Sequence, residues 1–275
     1  MTTTLTSIRQ PPESPWRGRI RVGDHLAVFV GVPGDAARHA HYAHQIVFSG
    51  GDGNGLVVDG AARHGEAWIV PSGVPHRVRA GTGPATFIYA EPWVYTLERL
   101  PVIDGGAPGD ADAWLQRLKS EWPANPLTPA LTALVADVDR LLGESLRVGE
   151  LAKRQNISIS QLERRLGTSI GLPAKQLAIW RRLRFAMDRV LAGATLTLSL
   201  IHISQGLTAA AHDAGFSDAA HFSRSLRATF GVRADRSLIP LARRHQPPAA
   251  EASRESHAGV AGASDDVGAR KGSIS

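Results

Sequence analysis

The feature that most constrains this chain is an internal repeat in its C-terminal half. LAKRQNISISQLERRLGTSIGLPAKQL (151–177) resembles AAHDAGFSDAAHFSRSLRATFGVRADRSL (210–238). Ala152 aligns with Ala211, Asn156 with Gly215 and Ser158 with Ser217. One extra residue then enters the second copy, after which Leu162 aligns with Phe222, Arg164 with Arg224, Leu166 with Leu226 and Gly171 with Gly231. Each copy reads as helix, tight turn, helix. The small alanine lets two helices cross closely, and Asn or Gly four residues later suits the left-handed conformation of a tight turn. Ser158 then opens the second helix, with Gln161 completing a capping-box pattern. Leu162 and Leu166, like Phe222 and Leu226, fall on one buried face, whereas Ser160, Gln161, Arg164, His221, Ser223 and Arg224 fall on exposed positions.

Those exposed side chains suit nucleic acid. Arg can bridge guanine O6 and N7, Gln can pair with adenine, and Ser can hold phosphate. Two such helices on one frame could enter successive major grooves, one turn of ~34 Å apart. The charge distribution agrees. Residues 144–245 hold 16 Lys and Arg against 7 Asp and Glu, whereas the rest of the chain holds 15 against 18. Between the repeats, Gln176–Leu191 reads as a connecting helix on Trp180, Leu183, Phe185, Met187 and Val190. Its Arg181, Arg182, Arg184 and Arg189 are expected near phosphates or bridging the units. The bland alternative is a helical bundle with solvated arginines, and two aligned copies in a basic region count against it.

Residues 145–238 resemble the DNA-binding domain of the AraC/XylS family of transcription regulators, and AGFSDAAHFSRSLRATFGV (214–232) is close to that family's signature. The resemblance implies base contacts from both recognition helices: Ser158, Ser160, Gln161, Glu163 and Arg164 in the first, Asp218, Ala220, His221, Ser223 and Arg224 in the second. Glu163 and the alanines depart from the reach such contacts need, so the DNA site is not carried over.

One segment departs from the family pattern. TLT (195–197) is followed by LSLIHISQG (198–206) and then by LT again (207–208) before AAAHDAGF; without 198–208 the text reads GATLTAAAHDAGF, the expected length. The run LSLIHIS resembles the translated end of a laboratory transposon and reads as the scar of an insertion in cloning or sequence assembly. The alternative is a natural loop or an extra β-like segment. Either way, looser spacing and weaker joint DNA binding by the two units are expected.

The N-terminal third has a β texture. Short runs at Arg19–Val30, Gln45–Phe48, Leu56–Asp59, Ala67–Val70, His76–Arg79 and Ala85–Tyr89 alternate with Gly- and Pro-rich turn signals, the pattern of a sandwich or small barrel. GEAWIVPSGVPH (65–76) fits the second cupin motif until its final Asn, which here is Ala80. His39-Ala40-His41 with Gln45 resembles the first motif, with Gln where many cupins carry Glu. The resemblance implies a cupin barrel whose His39, His41, Gln45 and His76 line an effector pocket or hold a metal. Three imidazoles and an amide oxygen can take Zn, Mn, Fe or Ni. His44 reads as a surface histidine on a strand edge, and Arg77 and Arg79 as one solvated face.

The resulting expectation is an α+β multidomain chain. It comprises a flexible N-terminus (1–17), a cupin-like effector-binding domain (18–95) and a helical linker or dimerisation region (96–143). An AraC-type double helix-turn-helix domain (144–245) and a disordered tail (246–275) complete it. Within the linker, Ala111–Trp122 carries Trp114, Leu115, Leu118 and Trp122 at helical spacing, either for dimer contact or as interdomain core, and Pro129–Leu142 repeats the pattern. The absence of cysteine excludes disulfides, zinc fingers and thiol catalysis. No apolar run reaches the ~18 residues of a membrane span, and no secretion signal is visible, so a cytoplasmic location is expected. The function expected is an effector-responsive DNA-binding regulator, not an enzyme. Its partners are double-stranded promoter DNA, a small-molecule effector and a second copy in a homodimer, with no membrane. No cofactor is required, although the barrel can take a divalent metal. A metal-dependent cupin enzyme with an appended DNA-binding domain is the alternative, and a DNA-binding protein without sensing is a third reading.

Overall fold

The computed structural model describes residues 14–49, 55–64, 67–100, 109–143, 147–193, 200–238 and 241. All lie within one compact unit, Met1–His245. The expected flexible start falls outside the described residues up to position 13, and the expected disordered tail falls wholly outside them.

Among the described residues, nine strands make two antiparallel sheets. They are β1 (Arg17–Val22), β2 (Leu26–Val32), β3 (Ala36–His39), β4 (His44–Ser49), β5 (Val57–Asp59), β6 (Ala62–His64), β7 (Ala67–Val70), β8 (His76–Arg79) and β9 (Ala85–Ala90). The larger sheet runs β1-β2-β9-β4-β7-β6 and the smaller β3-β8-β5. The expected run Arg19–Val30 is two strands, because Gly23 donates its N–H to the Leu26 carbonyl (2.8 Å) and turns the chain at Gly23-Asp24-His25. β3 and β6 were not legible in the sequence. AARH and ARH lack β-branched residues, and these strands are fixed by pairing with β8 and β7.

Period-2 alternation sends the large sheet into two cores. Leu26, Val28, Ile46, Phe48, Ile88 and Ala90 face one core, and Phe29, Val47, Ala85 and Phe87 face the other. The first core takes in helices α1 (Ala111–Glu121), α2 (Pro129–Arg140), α3 (Val148–Arg154) and α4 (Ile159–Ser169). Trp114 of α1 stacks on Phe48 with ring centroids 5.8 Å apart. Trp114, Leu115, Leu118 and Trp122 are all buried, so the reading of this segment as core holds. The second core joins the small sheet to the later turns of α5 (Ala174–Gly193) and to α6 (Leu200–Asp213), α7 (Ala219–Phe230) and a π-helical turn, Ala234–Leu238.

The segment read as an insertion scar, with a natural loop or β-like addition as the alternative, is helical from Leu200 onward, continuous with AAAHD in α6; Leu198 and Ser199 lie outside the described residues. Leu200–Thr208 of the addition thus form the first turns of α6, and Ala210, Ala211 and Ala214 after them are buried.

Candidate functional site

Two surfaces carry chemistry. The first is built on the repeat. α3 ends in a turn where Asn156 has φ 52°. Ser158 then caps α4: its hydroxyl accepts the Gln161 N–H (3.2 Å) while the Gln161 side-chain oxygen accepts the Ser158 N–H (2.9 Å). Gln161 therefore holds the cap as well as facing outward. In the second copy Gly215 has φ 79°, and a Cβ there would lie 1.9 Å from the Leu142 carbonyl. Asp218, one residue after Ser217, is the cap of α7 and explains the extra residue in the alignment; its carboxylate accepts the His221 N–H at 2.6 Å. That bond and the Ser217 hydroxyl hold the Asp218 carboxyl below its usual range.

Leu162, Leu166, Phe222 and Leu226 are buried as the pattern requires. Ser158, Ser160, Gln161, Arg164, Asp218, Ala220 and Arg224 are exposed, and Glu163, His221 and Ser223 are half-buried. Glu163 accepts the Ala174 N–H (3.0 Å) at the start of α5, a structural use for a residue the resemblance placed among base contacts.

The arginines of α5 are a correction. Arg181 turns inward to Asp139 (2.5 Å), and Arg184 is bonded to Glu91 and the Gly23 carbonyl. Arg189 bridges to Asp213 of α6, as the bridging reading anticipated. The reason for the inward turn is Glu91, 1% exposed, which gathers His25 (2.7 Å), Trp93 (2.8 Å) and Trp180 (2.7 Å) besides Arg184. Burial pushes its carboxyl up, but Arg184, His25 and Trp180 outweigh that and hold it at about 2. Sequence reading missed this hub, since a lone acid after a strand carries no motif.

The second surface is the histidine cluster. His39 ends β3, His76 opens β8 directly opposite it, His41 follows β3, and Gln45 lies on β4. All four are buried. Each ring nitrogen Nδ1 sits on a main-chain carbonyl: His39 on Ala37 (2.7 Å), His41 on Ala43 (2.9 Å) and His76 on Val74 (2.9 Å). Burial, reinforced by the neighbouring imidazoles, lowers His39 to about 4 and His41 to about 3, and burial lowers His76 as well. A neutral ring whose Nδ1 donates to a main-chain carbonyl keeps its Nε2 as the lone pair. One ligand atom from each of the three lies within 4.8 Å of the others.

Two further facts test whether a metal fits. The Gln45 Oε1 lies 3.1 Å from the His41 Nε2, so two acceptors face each other unless a cation sits between them or the amide is turned. The His76 Nε2 and Gln45 Nε2 are buried with no hydrogen-bond partner among the described residues. Three imidazoles oriented by carbonyls, with an amide oxygen alongside, match the donor set and outer-shell support of a divalent metal site. His44 is corrected: β4 lies between β9 and β7, and buried His44 accepts the Ser72 N–H at 2.9 Å. Arg77 and Arg79 alternate on the exposed face of β8, as expected.

A cavity of about 90 Å³ adjoins the cluster through His39 and Gln45. Its walls are mainly apolar and come from both the sheet, as at Ala27 and Tyr89, and the helices, as at Met187, Leu226 and Phe230. The C-terminal end of α7 lines it at Leu226 and Phe230. Phe230 packs on His41 (5.6 Å), Tyr89 (6.1 Å) and Trp180 (5.7 Å), and the Gly231 carbonyl accepts the Ala37 N–H at 2.9 Å.

AraC-family regulators are among the structural neighbours of this chain. Apo ToxT from Vibrio cholerae is 9% identical, with a TM-score of 0.47 over 78% of this chain and 97% of that one. ToxT with a bound unsaturated fatty acid is 10% identical, with a TM-score of 0.44 over 78% and 94%. A probable AraC family transcriptional regulator from Rhodopseudomonas palustris is 24% identical, with a TM-score of 0.34 over 44% and 100%. No protein-family model matches the chain, and no curated protein matches it in sequence. No residue role is carried over from these neighbours. No helix among the described residues is long and apolar enough to cross a membrane.

Proposed function

We propose that this chain is an effector-responsive, sequence-specific transcription regulator of the AraC/XylS type, acting in the cytoplasm and without catalysis. α3–α4 and α6–α7 serve as its two helix-turn-helix units, α4 and α7 being the recognition helices. The observation that carries this reading is the duplicated turn. Asn156 and Gly215 take the same left-handed conformation, Ser158 and Asp218 cap the following helices, and Ser160, Gln161, Arg164 and Arg224 beyond the caps are open to solvent. Arg164 and Arg224 are the base-reading arginines of this scheme, supported by Ser158, Ser160, Gln161, Asp218, His221 and Ser223.

The sensing part is read as a cupin-type barrel over 18–95, formed by the two sheets, with 96–143 as the link to the DNA-binding region 144–245. A small-molecule effector enters the cavity between sheet and helices and shifts how α7 is held. The regulator reading requires no cofactor. The geometry of His39, His41, Gln45 and His76 supports a divalent metal there, and a homodimer on a two-part site is part of the proposal.

The test is sequence-selective binding. Purified protein is mixed with sheared genomic DNA at about 150 mM salt, because weak electrostatic retention is expected of a basic protein. Bound fragments are sequenced and the experiment is repeated with Arg164→Ala and Arg224→Ala. Enrichment of a few promoters sharing a two-part motif, lost in both variants, is the expected result. Uniform retention unaltered by either substitution would overturn the reading.

A further inference from the structure

We infer that the signal this regulator reads at the histidine cluster is a divalent transition-metal ion, and that α7 reports its binding through Phe230 and Gly231. The inference rests on the regulator reading for its consequence, but its physical basis is separate. One ligand atom from each of the three imidazoles lies within 4.8 Å of the others, and His76 Nε2 and Gln45 Nε2 are buried without a hydrogen-bond partner among the described residues. A buried polar atom without a partner is costly, and a metal drawing in His76 Nε2 removes one such cost.

The link to α7 is contact, not distance. A Cβ at Gly231 would fall 2.3 Å from the Ala37 carbonyl and 2.6 Å from His39 Nδ1. Ala37 itself donates its N–H to Gly231, while its carbonyl holds the His39 ring. One residue therefore joins the α7 cap on one side and a metal-ligating imidazole on the other. Phe230 adds a second contact, tilted against His41 and Trp180. A metal that fixes the His39 and His41 rings fixes the surface on which α7 docks. The second recognition helix is then held in one position before it meets DNA, which tightens binding to a two-part site by preorganisation. Linkage requires the converse: DNA that engages α7 tightens metal binding by the same factor.

The experiment uses the full chain, stripped with EDTA and titrated with Zn²⁺ and with Co²⁺. Co²⁺ absorption reports binding at the cluster, hydrogen exchange over 219–231 reports α7, and DNA affinity is measured on fragments from the genomic selection. Metal binding that slows exchange in α7 and raises DNA affinity by about 5-fold or more is the expected result. Phe230→Ala keeps the metal ligands and is expected to bind metal without slowing α7 exchange. Thermal unfolding by circular dichroism confirms that this variant folds. Absence of metal binding, metal binding that leaves α7 exchange unchanged, or a fall in DNA affinity would each overturn the inference. Protection of α7 in a protein that selects no DNA would leave the metal-to-helix link standing and overturn the regulator reading instead.

Discussion

Trp180 donates its indole N–H to Glu91 at 2.7 Å across 89 positions of sequence, and this bond, beside the Arg184–Glu91 ion pair, fastens the long connecting helix to the last strand of the large sheet. The bond places a buried carboxylate where the two halves of the chain meet. Loss of that carboxylate leaves Arg184 half-buried and without its main counter-charge.

Glu91→Ala is therefore expected to destabilise the protein by about 3–5 kcal/mol, the usual cost of removing one member of a buried pair. Urea unfolding monitored by tryptophan fluorescence measures it. Replacing Arg184 by Met in the same protein should recover part of the loss, and a double variant as unstable as the single one would argue against the pair as the cause.

The same carboxyl sets an acid limit. Its folded pKa of about 2 lies below the roughly 4.3 of an unfolded Glu, so its stabilisation is complete above about 4.3 and is lost as pH falls toward about 2. The groups facing it are His25, Arg181 and Arg184, with Tyr42 and Tyr95 nearby. Melting temperatures of the native protein and Glu91→Gln should differ most near pH 6 and converge toward pH 2.5; a constant gap would contradict this assignment.

Gln161 has two roles that one substitution separates. Glu serves the capping box as well as Gln, so Gln161→Glu should change stability by less than about 0.5 kcal/mol. A carboxylate facing DNA should nevertheless weaken specific binding, by about 1–3 kcal/mol if Gln161 reads a base. Unchanged affinity would confine Gln161 to the cap.

Deletion of 198–208 removes Leu200–Thr208 from the start of α6 and keeps the buried Ala210, Ala211 and Ala214, so the shortened protein should fold. Joint binding by the two units is expected to be tighter in the deletion variant, measured as affinity for a two-part fragment against either half alone. Equal affinity would show that the segment does not alter how the units cooperate.

The sequence by itself determined the local pieces. Asn156, Gly215 and the Ser158–Gln161 pair announce their turns and cap because those signals are short-range. β7 and β8 were legible to the residue, β8 through the alternation of HRVR and β7 as the short apolar run AWIV between turn signals. The four cluster residues were named from the resemblance to the cupin motifs, and strand pairing between β3 and β8 brings His39 and His76 together. Only the tertiary structure decided what faces what. Carboxylates recruit whichever cations the fold brings within reach, so buried Glu91 and half-buried Asp139 drew Arg184 and Arg181 away from the phosphate-facing or bridging places expected of them. His44 went inside because β4 has neighbours on both edges, which no window of sequence reveals. The seating of Phe230 and Gly231 against His41, His39 and Ala37 joins positions nearly 200 residues apart, and complementary shape at that range is written in no motif.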